Sequence, residues 1–167
     1  MPTPTYTPLA NTTVAIAAAS ISFSNIPATY RDLVIVMSIA TNVNMNNAIR
    51  FNSDSGSNYS RVFMSGNGST ATSGTGGGGT SLQIDQTAFT GSTLGEQATV
   101  IEVMDYSATD KHKTVVIRQN RVGANSGVDA IAGRYASTSA ITSFTFIPVS
   151  TAVFSAGSRV ELYGIVS

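Results

Sequence analysis

Short stretches in which every second residue is apolar, separated by clusters of Gly, Ser and Asn, recur from one end of this chain to the other. A period of two turns one face of a strand inward and the other outward, and many such stretches with turn chemistry between them describe an all-β sandwich or barrel. Candidate strands are Thr13–Phe23, Asp32–Ala40, Ala48–Phe51, Tyr59–Met64, Ser81–Phe89, Ala98–Tyr106, Lys113–Gln119, Val128–Tyr135, Ile141–Ile147 and Arg159–Val166. Ile101 and Val103 alternate with Val100, Glu102 and Met104, and Phe144 and Phe146 face away from Thr145. Leu33–Met37 is continuously apolar, as expected of a central strand buried on both faces. Helical periodicity is almost nowhere convincing.

Asn52–Asn58 (NSDSGSN), Gly123–Gly127 and Ala156–Ser158 read as turns, supplying glycine for positive φ and Asx side chains for local hydrogen bonds. Residues Gly66–Thr80 (GNGSTATSGTGGGGT) contain four consecutive glycines and read as a mobile surface loop or strand connection. Pro2, Pro4 and Pro8 mark the start of the chain as extended and peripheral, because proline lacks the N–H that a central strand must donate. The expected organisation is an N-terminal arm over residues 1–12 and one β-sandwich domain over 13–167, with a jelly roll fitting the strand number.

Chemistry is sparsely represented. Cysteine is absent, which excludes disulfides, thiolate metal sites and a cysteine nucleophile. His112, the sole histidine, lies in the hydrophilic Asp110–Lys113 tetrad and reads as a solvated turn residue. The nine acids are scattered singly, with Asp85, Glu102 and Glu161 expected on outward strand positions, so no carboxylate pair for glycoside hydrolysis announces itself. The side-chain oxygens of Asn52–Asn58 alternate as in a calcium loop, but the glycine falls early and no closing Glu follows, which favours an Asx turn. The expectation is a protein that is not an enzyme and uses no cofactor.

Nine basic residues balance nine acidic ones, and only 11% of the chain is charged against a usual value of about 25%. Arg118, Arg121, Lys111 and Lys113 form the one basic cluster, offset by Asp105 and Asp110 and read as a solvated hairpin end; nucleic acid is not an expected partner. No run approaches the roughly 20 apolar residues of a membrane-spanning helix, and no basic leader precedes Arg31, so a soluble protein made in the cytoplasm is expected. A surface of hydroxyl, amide and small apolar groups suits contact with neighbouring protein or sugar.

Several phrases together are more specific than any site motif: Tyr6-Thr7-Pro8-Leu9, Phe23-Ser24-Asn25-Ile26-Pro27-Ala28-Thr29-Tyr30-Arg31-Asp32-Leu33, Arg50-Phe51-Asn52-Ser53-Asp54-Ser55-Gly56-Ser57-Asn58-Tyr59-Ser60, Ser137-Thr138-Ser139-Ala140-Ile141-Thr142, and Gly157-Ser158-Arg159-Val160-Glu161-Leu162-Tyr163-Gly164-Ile165. In this order, over nearly the whole chain, they resemble a family of small tailed-bacteriophage virion proteins that occur free-standing and as terminal modules of tail fibres. The resemblance implies a jelly-roll-like antiparallel β-sandwich, commonly a homotrimer, that decorates the outside of the particle without a cofactor. The expected role is that of a capsid decoration (cement) protein bound to the phage major capsid protein and bridging capsomers. Pro2, Pro4, Tyr6, Pro8 and Leu9 are its candidate tether, an arm without a strand partner that adds to a neighbour's sheet edge. The alternative is a tail-fibre tip recognising host glycan through loop 66–80 and the aromatic residues Tyr59 and Tyr106. Arg50 and Asp54 are placed to pair across their turn.

Overall fold

The computed structural model describes residues 5–43, 45–86, 94–123 and 126–166. Its strands are β1 (Tyr6–Thr13), β2 (Ile21–Phe23), β3 (Asp32–Ser38), β4 (Asn47–Phe51), β5 (Tyr59–Gly66), β6 (Ala71–Gly79), β7 (Leu82–Gln83), β8 (Gln97–Met104), β9 (Lys113–Arg121), β10 (Gly127–Tyr135), β11 (Phe144–Pro148) and β12 (Arg159–Ile165). They form an eight-stranded sheet in the order β1-β12-β3-β8-β9-β10-β5-β6 and a four-stranded sheet in the order β2-β11-β4-β7. Each ladder between these strands is antiparallel.

The topology is a jelly roll with two insertions. Without the hairpins β5–β6 and β9–β10, two four-stranded sheets remain, β1-β12-β3-β8 and β2-β11-β4-β7, and the chain passes back and forth between them. The hairpins then extend the first sheet past β8, because β9 pairs with β8 and β10 pairs with β5.

Alternation decides which side chains fill the space between the sheets. In β8, Ile101 and Val103 point inward while Ala98 and Met104 are exposed; in β9 and β10 the same period is kept over almost every residue. Phe144 and Phe146 of β11 enter the core from the opposite sheet, on the side away from Thr145. Leu33, Val34, Ile35 and Met37 of β3 are buried between β12 and β8, and Val36 alone of the apolar run reaches the surface.

The Asn52–Asn58 segment forms the expected Asx turn. Asp54 accepts hydrogen bonds from Gly56 N (2.7 Å), Asn58 Nδ2 (2.8 Å) and Tyr135 Oη (3.0 Å), and the Gly56 backbone donor is the foremost reason its carboxyl is held below the usual range. Donors therefore face the very oxygens that a calcium ion would need. Asp54 does not pair with Arg50, whose Nε donates instead to Thr80 O at 3.0 Å.

Asn52 sits at φ 52°, donates from Nδ2 to Ala140 O (2.8 Å) and accepts from Thr142 N (2.9 Å) and Ser143 N (3.3 Å). It thus pins the segment leading into β11. Asn52→Ala removes these bonds and leaves a Cβ residue in the left-handed region, so a loss of about 3 kcal/mol is expected in urea unfolding. A loss below about 1 kcal/mol would show that the segment holds itself.

Three sequence expectations change. Thr13–Phe23 is not one strand: β1 ends at Thr13, β2 begins at Ile21, and residues between them bridge to Phe154 and Ser158. The boundary at residue 12 falls inside β1, which is extended and peripheral but fully partnered along β12, with a register shift between Pro8 and Ala10. Proline is accommodated because β1 is an edge strand. Finally, Gly66–Thr80 contains the regular strand β6, paired along β5.

Within β6, glycine is required by close packing at Gly74, whereas a Cβ on Gly77 would meet nothing. A Cβ on Gly74 would lie 2.8 Å from the Phe63 ring, whose face is in turn covered by the Arg61 guanidinium at 5.1 Å. Main-chain ladder bonds need no side chain, so a glycine-rich segment can pair wherever its partner strand supplies the packing.

Candidate functional site

The inserted hairpins create a broad outer surface on the eight-stranded sheet. Strand register places Val100, Arg118, Ala130, Met64 and Ser73 in one row, and Glu102, Val116, Ala132, Val62 and Thr75 in the next. Val62, Val116 and Val128 are exposed and Met64 is 68% exposed, an unusual density of apolar side chains facing water from one sheet. The two charges in the middle, Glu102 and Arg118, pair with each other at 2.8 Å. At the rim, Arg134 Nη2 lies 2.8 Å from His112 Nδ1.

Between Met64 and Val128 the surface dips. Gly66 lies in register with Val128 on one side and Ala71 on the other, and the hollow is lined mainly by apolar atoms of Met64, Gly66, Ala71, Val128 and Ala130. An exposed Met and a hollow thus adjoin on one face.

The opposite side of the same hairpins holds a buried polar clasp. Asp85 is fully buried and accepts from Asn47 N (3.0 Å) and Asn47 Nδ2 (3.0 Å). Burial pushes its carboxyl up to about 8, opposed by the Asn47 donors and by Arg61. Arg61 of β5 donates to Asp85 O (3.1 Å), Gln83 Oε1 (2.7 Å) and Gln86 Oε1 (2.7 Å), while Asp129 of β10 accepts from Gln86 N (2.9 Å). The segment after β7 is thereby fastened to both the extended sheet and β4.

This corrects the outward position expected for Asp85. Alternation through Leu82 and Ile84 would turn Asp85 to solvent, but the strand stops at Gln83, and Ile84 and Asp85 are both buried. Sequence carried a strand signal without its end.

The glycan platform is also corrected. Tyr59 is 2% and Tyr106 0% exposed. Tyr59 accepts from Phe51 N (3.0 Å), donates to Asp54 O (3.0 Å) and has its hydroxyl pushed up to about 12, chiefly by burial. Tyr106 donates to Pro27 O and accepts from Tyr30 N (3.4 Å). Both are core residues with satisfied hydroxyls, because each aromatic body completes the packing beneath a turn.

Of the candidate tether, Pro2 and Pro4 lie outside the described residues, Leu9 packs against the core, and Tyr6 and Pro8 are exposed on β1. The Tyr6 ring stands edge-on to Tyr163 at 6.4 Å. The tether pictured as unpartnered therefore has a partner within its own chain from Tyr6 onward.

Nor do the basic residues form a cluster. Arg118 is outward and paired, Arg121 is buried 3.5 Å from Glu96, and Lys111 lies 3.4 Å from Asp105. Lys113 is buried and donates to Ala108 O (2.6 Å), Lys111 O (2.9 Å) and Thr138 O (3.3 Å), with desolvation lowering its pKa. Alternation along β9 sends its basic residues to opposite faces. Among the described residues, no three His, Asp or Glu side chains are grouped to hold a metal, and no helix is long and apolar enough to cross a membrane.

No protein-family model matches the chain, and no curated protein matches it in sequence. Among solved structures it is similar to the galectin LEC-6 of Caenorhabditis elegans (7% identity, TM-score 0.37, covering 94% of this chain and 96% of that one). A toad ovary galectin in complex with thio-digalactose gives 8% identity and a TM-score of 0.34, covering 90% and 97%. Domains LG4-5 of the mouse laminin alpha1 chain give 12% and 0.32, covering 93% and 41%. Likeness at this level transfers neither residues nor roles.

Proposed function

We propose that this chain is a capsid decoration protein of a tailed bacteriophage, attached in many copies to the outside of the head. The observation that carries the reading is the outer face of the extended sheet, five strands wide and rich in exposed apolar side chains, with Glu102 and Arg118 paired to each other. Such a face suits contact with protein, and weak individual contacts suffice when several linked copies engage one shell. The sequence phrases resembling phage virion proteins supply the particle. The alternative, a tail-fibre tip that recognises glycan, loses its two aromatic contacts, since Tyr59 and Tyr106 are buried, and keeps only the segment 66–80.

Purified protein mixed with heads lacking it is expected to co-sediment with them, and stained gels of whole particles are expected to show hundreds of copies. A few copies per particle would place the protein on the tail, and failure to sediment with heads would refute the decoration role.

A further inference from the structure

We propose that a second hollow on this face, beside Arg134, holds a carboxylate supplied by an acidic side chain of the head protein. The carboxylate chemistry follows from the hollow itself, while its carrier rests on the decoration reading.

The hollow is a consequence of register. Thr114, Arg134 and Ser60 stand in one outward row across β9, β10 and β5. On β6 that row meets a bulge: Tyr59 pairs with Gly79 and Arg61 with Gly76, so Ser60 faces only Gly77 and Gly78. The row ends without a side chain. What remains is a depression near the sheet edge, lined by Ser60, Val62, Thr75, His112, Thr114 and Arg134.

Arg134 differs from the other six arginines. Arg31, Arg118, Arg121 and Arg159 pair with carboxylates, and Arg50 and Arg61 donate to main-chain oxygens. Among the described residues Arg134 has only His112, whose Nδ1 accepts from both Nε (3.2 Å) and Nη2 (2.8 Å). A guanidinium cannot accept, so Nδ1 carries the lone pair and the imidazole is neutral. The positive charge of Arg134 is therefore positioned without being cancelled. Its Nη1 and Nη2 end keeps two parallel N–H groups, the fork that a carboxylate accepts with both oxygens.

Charge and position select the occupant. One cation matches a singly charged, planar anion, whereas a phosphate group brings up to about two negative charges and a third strong acceptor. The hollow also opens onto the apolar rows, since Val62 lines it and stands in register beside Ala132 and Val116. An acidic side chain arriving on a protein surface brings neighbours that cover those residues, and the cover removes water from the new ion pair and strengthens it. A free acid would leave them wet.

Arg134 is exposed, so Arg134→Gln should leave the far-ultraviolet dichroism and melting temperature unchanged. In co-sedimentation it should bind heads about thirtyfold more weakly than wild type, the lower end of the range for losing one partner of a covered charge pair. Arg134→Lys should fall between them, having the charge without the fork. Arg159→Gln, on β12 two strands beyond the face, should bind as wild type does. Heads whose surface carboxyls have been amidated should lose the same factor toward wild type and nothing toward R134Q. In the isolated protein, millimolar sodium acetate should move the amide resonances of Ser60 and Thr114, and R134Q should abolish the movement.

Equal head binding by wild type and R134Q, or by untreated and amidated heads, would overturn the anchor while decoration stands. Wild type that never sediments with heads would refute decoration, and acetate then judges the hollow by itself. Movement that R134Q abolishes would uphold the carboxylate site, and no movement would overturn it.

Discussion

Replacing Phe51 by alanine is expected to destabilise the protein by about 3–5 kcal/mol, the range for deleting a buried phenyl ring. Phe51 ends β4 in the four-stranded sheet and is completely buried against two residues of the other sheet. Its ring lies 5.5 Å from Tyr135 of β10 and 6.3 Å from Tyr59 of β5, and those two stack at 5.0 Å. The trio is where the inserted hairpins are joined to the jelly roll, so the cavity left by alanine opens at the contact between the two sheets. For a chain of this size the loss corresponds to roughly 6–20 °C in melting temperature, a large part of a typical total stability of about 5–15 kcal/mol. Thermal unfolding followed by circular dichroism measures it. A shift under about 3 °C would mean that the hairpins are held without the aromatic joint.

Stability of the wild type is expected to fall as pH rises from about 4 to about 8, with Asp85 as the main cause. An unfolded aspartate releases its proton near pH 4, whereas buried Asp85 keeps it up to about 8. Between these values the folded state binds one proton more than the unfolded state, so stability declines by up to about 1.4 kcal/mol per pH unit. The contribution is complete below pH 4 and lost once pH passes the folded value. Protonation also has a structural outlet: rotating the Asn47 amide brings its Oδ1 across the same 3.0 Å from Asp85 Oδ2, which as a hydroxyl can donate to it. Asp85→Asn carries no proton to lose, and its urea midpoint should be nearly level over this window. A variant that kept the wild-type slope would assign the pH dependence to other groups.

The resemblance and the alternation lead to the same jelly roll, but they are different kinds of information. Alternation names the inward residues of β8, β9, β10 and β11 because a pleated strand offers only two directions. It is silent where a strand ends, so Asp85 looks solvated in sequence, and silent where four consecutive glycines carry no side chains to alternate, so the segment that ends β6 looks like a loop. Tyr59 and Tyr106 look exposed in sequence because an aromatic residue beside a polar turn reads the same whether its ring lies above the turn or beneath it.

The order of residues by itself determined that this chain forms sheets, where most of its turns fall, and that the surface is poor in charge. Those properties are local: they depend on a residue and its neighbours two positions away, or on composition. Only the tertiary structure decided that the two hairpins widen one sheet, that Asp85 is clasped between the layers, and that Met64, Gly66 and Val128 adjoin on one open face. Residues 64 and 128 meet because β5 pairs with β10, and strand pairing is set by the joint burial of both sheets, a property of the whole chain that no local window contains.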